Sequence, residues 1–323
     1  MSVSAFIFPG QGSQSVGMGR DLAAAFAAAR EVFGEVDETL RQKLSKLMFE
    51  GPAEELTLTE NAQPALMALS MAVVRVLEAE GGIRVAEVAA VAAGHSLGEY
   101  SALAATGAIE VAEIARLLRV RGRAMQAAVP PGVGAMAALL GVEMAQAVEI
   151  CAAATIWQRE GEPDLLQVVQ AANDNGGGQV VISGHREAVE RAIEGARAAG
   201  VKRAMLLPVS APFHCALMAP AAEVMAGALE AAKIVRPVVP LVANVTAAKV
   251  SDPDEIRMLL VAQVTGTVRW RESLLACAEM GVDRFVELGA GRVLSGLVKR
   301  VVPDAQVLSA CSPAEIEILL KAF

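Results

Sequence analysis

A serine between two glycines is the first feature of the sequence that could do chemistry. Ser96 lies in Gly94-His95-Ser96-Leu97-Gly98, which has GxSxG spacing, with a predicted strand at Val88–Ala93 before it and a predicted helix after it. The glycines permit a tight turn that lifts the hydroxyl clear of the backbone. The N-terminus of the helix favours the negative charge of a tetrahedral intermediate. The pattern predicts a nucleophile, and a glycine-rich turn without chemistry is the alternative.

A nucleophilic serine needs a base within hydrogen-bonding distance, and the chain has three histidines. His95 is next to Ser96 on a sharp turn, where adjacent side chains diverge, so we expect it to line the pocket. His185 stands between a predicted strand and a predicted helix, as a surface or capping residue does. His214, in the segment PVSAPFHC, is the predicted base, and a structural histidine is the alternative.

A glycine-containing loop follows the first predicted strand. Gly10, Gly12 and Gly17 give GxGxxxxG instead of the GxGxxG of a dinucleotide site, and no acidic residue closes a second strand about 20 residues later. Loops at the ends of parallel strands lie side by side, so the backbone N–H of Gln11 could instead reach the oxyanion.

Three arginines alternate along one predicted helix, at positions 119, 121 and 123. Alternate helix positions point about 200° apart, so the three side chains cannot share a face. Judged from the arginines alone, Arg121 would belong to a solvated helix face.

The elements that must position these groups follow an alternating order. Strands are predicted at Val3–Phe8, Val88–Ala93, Pro240–Ala243, Arg284–Leu288 and Ala305–Leu308, and the helices between them at Ala62–Glu80, Val111–Ala128, Met218–Ala232, Arg271–Met280 and Arg292–Val301. Strands that alternate with helices of this length indicate an α/β fold with a mostly parallel sheet covered on both faces.

Between Pro130-Pro131 and Pro208 the order changes to strand, helix, strand, strand, helix, strand. This βαββαβ order predicts a ferredoxin-like subdomain at 130–208, inserted into a large α/β domain of residues 1–129 and 209–323. One predicted strand of the subdomain covers Leu166–Ala172, and the polar segment Trp157–Asp164 is predicted to be a surface loop.

Composition excludes several classes of protein. Of the 323 residues 54% are hydrophobic and 3% aromatic, yet no uninterrupted apolar run of about 20 residues and no secretory signal is present, so we expect a cytoplasmic protein without a membrane span. Four scattered cysteines without CxxC spacing argue against a zinc site and against a disulfide framework, and we expect no metal and no cofactor. A net charge of −8 argues against nucleic-acid binding.

The chain resembles the malonyl-CoA:acyl carrier protein transacylase family along nearly its whole length. The matching segments, in the order of that family, are FPGQGSQSVGMGRDL, GPAEELTLTENAQPALMALS, GHSLGEYSALAATGAI, RGRAMQAAVP, GQVVISGH, PVSAPFHCALMAPAA and VELGAGRVLSGLVKR. The resemblance implies an α/β-hydrolase-like core, a malonyl-CoA substrate and an acyl carrier protein as acceptor, with the CoA thioester as substrate and not cofactor.

The resemblance also implies roles for individual residues. Ser96 would carry the acyl group, and His214 would act first as base and then as acid. Gln11 and Leu97 would donate backbone N–H groups to the oxyanion. The backbone carbonyl of Gln263 would orient His214, in place of the aspartate of a triad.

Three further residues would contact the substrate. Arg121 would hold the free carboxylate of malonate, to which a planar fork of donors is suited. Asn175 would line the pocket from the inserted subdomain. Phe213 favours malonyl over methylmalonyl, since related polyketide acyltransferases for methylmalonyl tend to have serine there, although stand-alone fatty-acid enzymes accept either residue.

The sequence departs from the family pattern in three places. Gly266-Thr267 replaces the usual asparagine-proline near Gln263. Gly176-Gly177-Gly178 replaces serine-proline-glycine and could loosen the loop that carries Asn175. The segment Thr155–Asp164 is longer than usual. None of these changes removes a catalytic group.

Three alternative functions share some of these features. An α/β-hydrolase esterase also uses GxSxG, but its histidine lies near the C-terminus after an acidic residue, whereas about a third of this chain follows His214. The second alternative is an acyltransferase for methylmalonyl, and the third is a carrier-binding scaffold without activity. Assaying the purified protein would separate them.

An acidic carrier protein requires cationic side chains near the mouth of the site. We expect Arg292, Lys299 and Arg300 to bind it, although they would equally fit a solvated helix face. Another candidate surface contains Arg186, Lys202 and Arg203 of the insertion.

Overall fold

The computed structural model of the chain describes residues 2–157 and 165–323. Before the insertion its elements are, in chain order, β1 (Ser4–Phe8), α1 (Arg20–Ala25), α2 (Ala27–Leu40), α3 (Leu44–Glu50), α4 (Ala53–Thr57), α5 (Thr59–Gly81), α6 (Val85–Val88), β2 (Ala89–Gly94), α7 (Gly98–Ala105) and α8 (Val111–Ala127). Those of the insertion are β3 (Gly134–Leu140), α9 (Met144–Ala154), β4 (Ile156–Trp157), β5 (Leu165–Leu166), β6 (Val169–Gly176), β7 (Gln179–His185), α10 (Arg186–Ala198) and β8 (Arg203–Leu206). A 3₁₀ helix at Ala216–Met218 then precedes α11 (Ala219–Ala231), β9 (Leu241–Val242), β10 (Lys249–Val250), α12 (Pro253–Thr265), α13 (Trp270–Glu279), β11 (Arg284–Leu288), α14 (Val293–Val301), β12 (Gln306–Ala310) and α15 (Pro313–Ala322).

The larger sheet has the strand order β10-β9-β2-β1-β11-β12, and every pair in it except β10-β9 is parallel. All five residues of β1 are buried. Phe6 and Phe8 pack into the hydrophobic cluster on one face of the sheet, and Ala5 and Ile7 into the cluster on the other face. A strand with helices on both faces is apolar along nearly its whole length, and after Ser4 every residue of β1 is apolar. The predicted α/β core is confirmed.

The second sheet is antiparallel, with the order β6-β7-β3-β8. Ala137 and Leu139 of β3 pack with residues of α9 and α10, whereas Met136, on the opposite face, belongs to the core of the larger domain. The period of two along β3 therefore places one face under the two helices and the other against the larger domain. The ferredoxin-like order is confirmed, while the predicted boundaries of the subdomain at 130–208 stay a proposal.

The bounds of one predicted strand are wrong. Leu166 pairs with Ile156 in a short hairpin, and β6 begins only at Val169 and continues through Asn175 to Gly176. Asn173-Asp174-Asn175 is polar and therefore reads as a loop, but Asn173 forms a parallel bridge with Val268 of the larger domain. Asn175 thus lies in a strand, and its expected placement in a loop is wrong, while the expected effect of the glycines on flexibility stays a prediction. Of the predicted loop Trp157–Asp164, Trp157 belongs to β4, and residues 158–164 lie outside the described residues.

Helix α5 is long and apolar. Within the described ranges it is the single helix with the length and hydropathy of a membrane span, and 83% of that stretch is buried in the protein. It packs against α2 and α8, so its apolar surface faces other helices of the chain.

Candidate active site

A cavity of about 510 Å³ lies between the larger sheet and the antiparallel sheet. Its walls include the loops after β1 and β2, at Gly10–Gln14 and His95–Leu97, and the start of α14, which follows β11. In open α/β sheets ligands bind beyond the carboxyl ends of the strands, and this cavity has that position. Eight of the residues predicted to form the site line it: Gln11, His95, Ser96, Leu97, Arg121, Asn175, Phe213 and His214.

Ser96 occupies a tight turn between β2 and α7. Its φ of 54° is in the left-handed region, which a residue other than glycine rarely adopts. A Cβ added at Gly94 would lie 1.9 Å from the backbone of Gly98, and one added at Gly98 would lie 2.2 Å from the carbonyl oxygen of Phe8. Both positions must therefore be glycine for strand and helix to approach so closely, which is the physical basis of the GxSxG pattern here.

Ser96 and His214 form a hydrogen-bonded pair. Ser96 Oγ lies 2.7 Å from His214 Nε2, and His214 Nδ1 donates to the backbone oxygen of Gln263 at 2.9 Å. Gln263 is in the last turn of α12, where carbonyl groups have no partner within the helix and the helix dipole is negative. A helix end thus takes the position of a triad carboxylate, and Nε2 is left free to accept the serine proton.

The electrostatic surroundings keep His214 neutral. Burial of the ring, and next the positive charge of Arg121, lower the pKa of His214 to about 3, although the hydrogen bond to Gln263 raises it. A neutral imidazole is the form that can remove a proton from Ser96.

The two predicted oxyanion donors lie on the cavity wall. Among the described residues, the backbone N–H groups of Gln11 and Leu97 have no acceptor, while the side chain of Gln11 donates to Thr59 Oγ1 at 3.2 Å. Free backbone donors beside a nucleophile can stabilise a developing oxyanion.

Arg121 is 1% exposed, so the solvated-face interpretation is wrong for this residue. Its Nη1 donates to Gln63 Oε1 at 2.8 Å, and its Nη2 donates to Gln263 Oε1 at 2.9 Å and to Ser96 Oγ at 3.3 Å. Within the described part of the chain its buried Nε has no partner. Arg123, two positions along α8, instead makes an exposed ion pair with Glu60. A buried guanidinium with an unused donor beside the nucleophile can bind a carboxylate of the substrate.

His95 and Asn175 connect the two sheets across the cavity. His95 Nε2 donates to Asn175 Oδ1 at 2.9 Å, and the His95 ring packs edge-on against Trp270 with ring centres 5.5 Å apart. Burial lowers the pKa of His95, which keeps its ring neutral. Beside them, Thr267 Oγ1 donates to the carbonyl of Ala171 at 2.7 Å, so the segment that departs from the family pattern also contacts the inserted sheet.

Sequence reasoning missed three buried polar residues of the site. Asn244 Oδ1 accepts the N–H of Ser96 at 2.7 Å, Gln63 accepts from Arg121, and Glu99 Oε2 accepts from Gln263 Nε2 at 2.9 Å. Burial raises the pKa of Glu99 to about 7, while its hydrogen bonds from Gln263 and Asn244 lower it. Glu99 is the single charged residue of helix α7, which was the available signal in the sequence, and Asn244 had none.

The predicted carrier-binding residues lie outside the cavity. Arg292 precedes α14 and forms an ion pair with Glu315. Lys299 and Arg300 are exposed in the last turn of the same helix. Leu294 and Leu297 line the cavity, so α14 extends from the site to the surface.

The family of the chain follows from comparison with known sequences. The family described as the acyl transferase domain matches residues 5–314. The chain belongs to this family. A malonyl CoA-acyl carrier protein transacylase from Escherichia coli (strain K12) is 46% identical to this acyltransferase over 323 residues, which cover 99% of this chain and 100% of the relative.

Solved structures resemble this acyltransferase over its full length. An acyl-carrier-protein-S-malonyltransferase from Bartonella henselae has a TM-score of 0.93 at 53% identity, with 99% of each chain covered. A malonyl-transacylase solved in complex with its type II PKS acyl-carrier protein has a TM-score of 0.93 at 42% identity, with 100% of each chain covered. The fold predicted for the whole chain, a hydrolase-like core with a ferredoxin-like insertion, agrees with these structures.

Proposed function

We propose that this acyltransferase moves the malonyl group of malonyl-CoA to the phosphopantetheine thiol of acyl carrier protein and so supplies fatty acid synthesis. The observation that carries the proposal is the contact of the buried Arg121 guanidinium with Ser96 Oγ, at 3.3 Å. It puts a carboxylate-binding group beside the nucleophile, which suits an acyl group with a free carboxylate. Relatives that are 44 to 46% identical have the names of enzymes with this activity.

The first half-reaction would form an ester on Ser96. Ser96 Oγ attacks the thioester carbonyl as His214 Nε2 takes its proton, and the N–H groups of Gln11 and Leu97 stabilise the oxyanion. The carbon–sulfur bond then breaks, and CoA leaves with the proton from His214. Arg121 holds the malonyl carboxylate throughout.

The second half-reaction would reverse these steps with a new thiol. The pantetheine thiol gives its proton to His214 and attacks the malonyl ester, and Ser96 leaves with that proton. No cofactor enters either half-reaction. Phe213 lines the cavity and is 8% exposed, and its bulk supports malonyl over methylmalonyl as the acyl group. We propose that the reaction takes place in the cytoplasm.

Mass spectrometry after incubation with malonyl-CoA tests the mechanism. We expect a malonyl adduct on the peptide that contains Ser96, and we expect Ser96→Ala to abolish both the adduct and the transfer to carrier protein. Cys215 is the nearest alternative nucleophile in sequence to His214, so Cys215→Ala is the matched control and should keep the adduct. An adduct on any residue except Ser96 would overturn the assignment.

A further inference from the structure

Glu99 is a buried acid that the proposed mechanism does not use. It lies in the first turn of α7, three residues after the nucleophile, and is 3% exposed. Its Oε2 accepts two hydrogen bonds, from the backbone N–H of Asn244 at 3.0 Å and from Gln263 Nε2 at 2.9 Å. A buried acid costs stability unless its hydrogen bonds offset the loss of water. A buried acid so close to the nucleophile therefore indicates a role for Glu99 in the site.

The amide of Gln263 connects Glu99 to Arg121. Gln263 Nε2 donates to Glu99 and to the carbonyl of Ser96, and Gln263 Oε1 accepts from Arg121 Nη2 at 2.9 Å. A guanidinium can only donate, and Glu99 Oε2, which also accepts from the backbone N–H of Asn244, is an acceptor whether or not the other carboxyl oxygen carries a proton. Between the two, the amide has one favourable orientation, with its nitrogen toward Glu99 and its oxygen toward Arg121. The reversed amide would place NH₂ against the guanidinium and leave the Gln263 oxygen facing the oxygen of Glu99.

We propose that Glu99 is a positioning residue for malonyl recognition, which holds the Gln263 amide so that its oxygen fixes the guanidinium of Arg121 beside Ser96. The inference rests on the proposed function, because it concerns the residue that would bind the malonyl carboxylate. Glu99 itself touches neither the substrate nor the reacting atoms. The charged and titratable groups around it are Arg121 on α8 and its own neighbour Tyr100, and the charge of Arg121 lowers the pKa of Glu99.

A second path from Glu99 leads to the nucleophile. Asn244, whose N–H donates to Glu99, accepts the N–H of Ser96 and donates through Nδ2 to the carbonyl of Gly94 at 2.7 Å. A change at Glu99 that acts through Asn244 would slow every acyl donor alike. A change that acts through Gln263 and Arg121 would slow only a donor with a free carboxylate. The ratio of malonyl to acetyl transfer therefore separates the two paths.

Two conservative variants separate the hydrogen bond of Glu99 from its charge. Glu99→Gln removes the charge but keeps an acceptor oxygen at the same distance from the backbone. Glu99→Asp keeps the charge, but its side chain is one methylene shorter, so the carboxylate lies farther from Gln263. We expect Glu99→Asp to lower the ratio of kcat/KM for malonyl-CoA over acetyl-CoA by about 10- to 100-fold, the effect of losing a hydrogen bond in a charged network. We expect Glu99→Gln to keep the ratio within about threefold of the wild-type value, because its amide oxygen still accepts from Gln263.

A double-mutant cycle tests the path through Gln263. Gln263→Leu removes the amide but keeps the backbone carbonyl that orients His214, and in that background Glu99→Asp should lower the ratio no further. A ratio that is unchanged in Glu99→Asp, an equal fall in Glu99→Gln, or an undiminished effect of Glu99→Asp in the Gln263→Leu background would each overturn the proposal. Melting temperatures show whether each variant is folded. Wild-type protein that transfers no malonyl would instead overturn the proposed function.

Discussion

Arg121 is a buried cation whose direct partners are two amides and a hydroxyl. A buried charge is costly without an opposite charge, and burial accordingly lowers the pKa of Arg121. The carboxylate of a bound malonyl group would provide the missing opposite charge. An acetyl group would not, so the residue discriminates between donors by the cost of leaving the guanidinium without a carboxylate.

We expect Arg121→Ala to lower kcat/KM for malonyl-CoA by about 100-fold or more, while transfer from acetyl-CoA falls little or rises. Arg123→Ala is the matched control, because Arg123 lies on the same helix with its charge exposed and paired with Glu60. Steady-state transfer to carrier protein with each donor measures both effects. An equal loss for both donors would mean that Arg121 has only a structural role.

The neutral state of His214 predicts an unusual pH dependence. With its pKa lowered to about 3, the imidazole remains a base far below the ordinary histidine value of about 6.5. Single-turnover acetylation of Ser96 from acetyl-CoA, which does not depend on a carboxylate contact, should stay nearly constant from pH 8 to pH 5. A decrease with a midpoint between pH 6 and 7 that also occurs in Glu99→Gln, where residue 99 cannot titrate, would contradict the lowered pKa of His214.

The same shift affects stability. The unfolded chain binds a proton at His214 below about pH 6.5, whereas the folded protein does not bind it until about pH 3. His214 thus contributes stability that is fully present above pH 6.5 and is lost as the pH falls toward 3.

At the scale of elements, the ends of helices and strands create the reactive geometry. The turn from β2 into α7 holds Ser96 in a left-handed conformation, and the C-terminal turn of α12 presents the Gln263 carbonyl to His214. The turn at Ser96 and the carbonyl of Gln263 are both backbone features. The identity of a side chain therefore matters mainly where two backbone segments lie in close contact. Gly98 is such a point, since its Cα faces the carbonyl oxygen of Phe8.

We expect Gly98→Ala to destabilise the protein by about 1 to 3 kcal/mol and to slow acylation of Ser96 at least tenfold, because the new Cβ would push α7 away from β1. Gly227→Ala in α11 is the control, since a Cβ there meets nothing within 4 Å. It should leave activity unchanged and stabilise the helix by up to about 1 kcal/mol. Urea denaturation and rapid-quench acylation measure the two effects, and normal acylation by Gly98→Ala would contradict the close-contact argument.

At the scale of the whole molecule, an acidic protein must bind an acidic carrier. The net charge is −8, so the approach of the carrier depends on a local positive surface. Lys299 and Arg300 are exposed at the end of α14, the helix whose earlier residues line the cavity, and no ion pair involves either one within the described residues. Arg292 is less available, because Glu315 pairs with it.

We expect the double charge reversal Lys299→Glu and Arg300→Glu to raise KM for the carrier protein about tenfold and to weaken its dependence on salt, because attraction between the surfaces is lost. Acylation of Ser96 by malonyl-CoA should be unchanged. Reversal of Lys202 and Arg203, on the inserted subdomain, is the matched control. If the control raised KM and the α14 variant did not, the carrier would bind the inserted subdomain.

Much of this protein could be predicted from local pattern alone. Apolar runs such as Val3–Phe8 specify buried parallel strands, and the glycines around Ser96 specify a turn that only a residue without a side chain allows. The nucleophile, the base and the order of the two domains follow from such patterns, because each depends on neighbours within a few residues. The roles of Arg121 and Gln263 came from family resemblance, since nothing in their local sequence distinguishes them from surface residues.

Only the tertiary structure decided how the buried polar groups are paired. Glu99, Gln63 and Asn244 meet Arg121, Gln263 and Ser96 across separations of up to 164 residues in the chain. The extension of β6 through Asn175 likewise depended on a bridge to Val268, 95 positions after Asn173. A hydrogen bond between distant segments leaves no periodicity in either one, because the partner that satisfies a polar side chain is absent from its local sequence. The hydrophobic pattern of the sequence therefore determined the order of strands and helices in this protein. Only the tertiary structure determined which charged groups and amides contact each other in its interior.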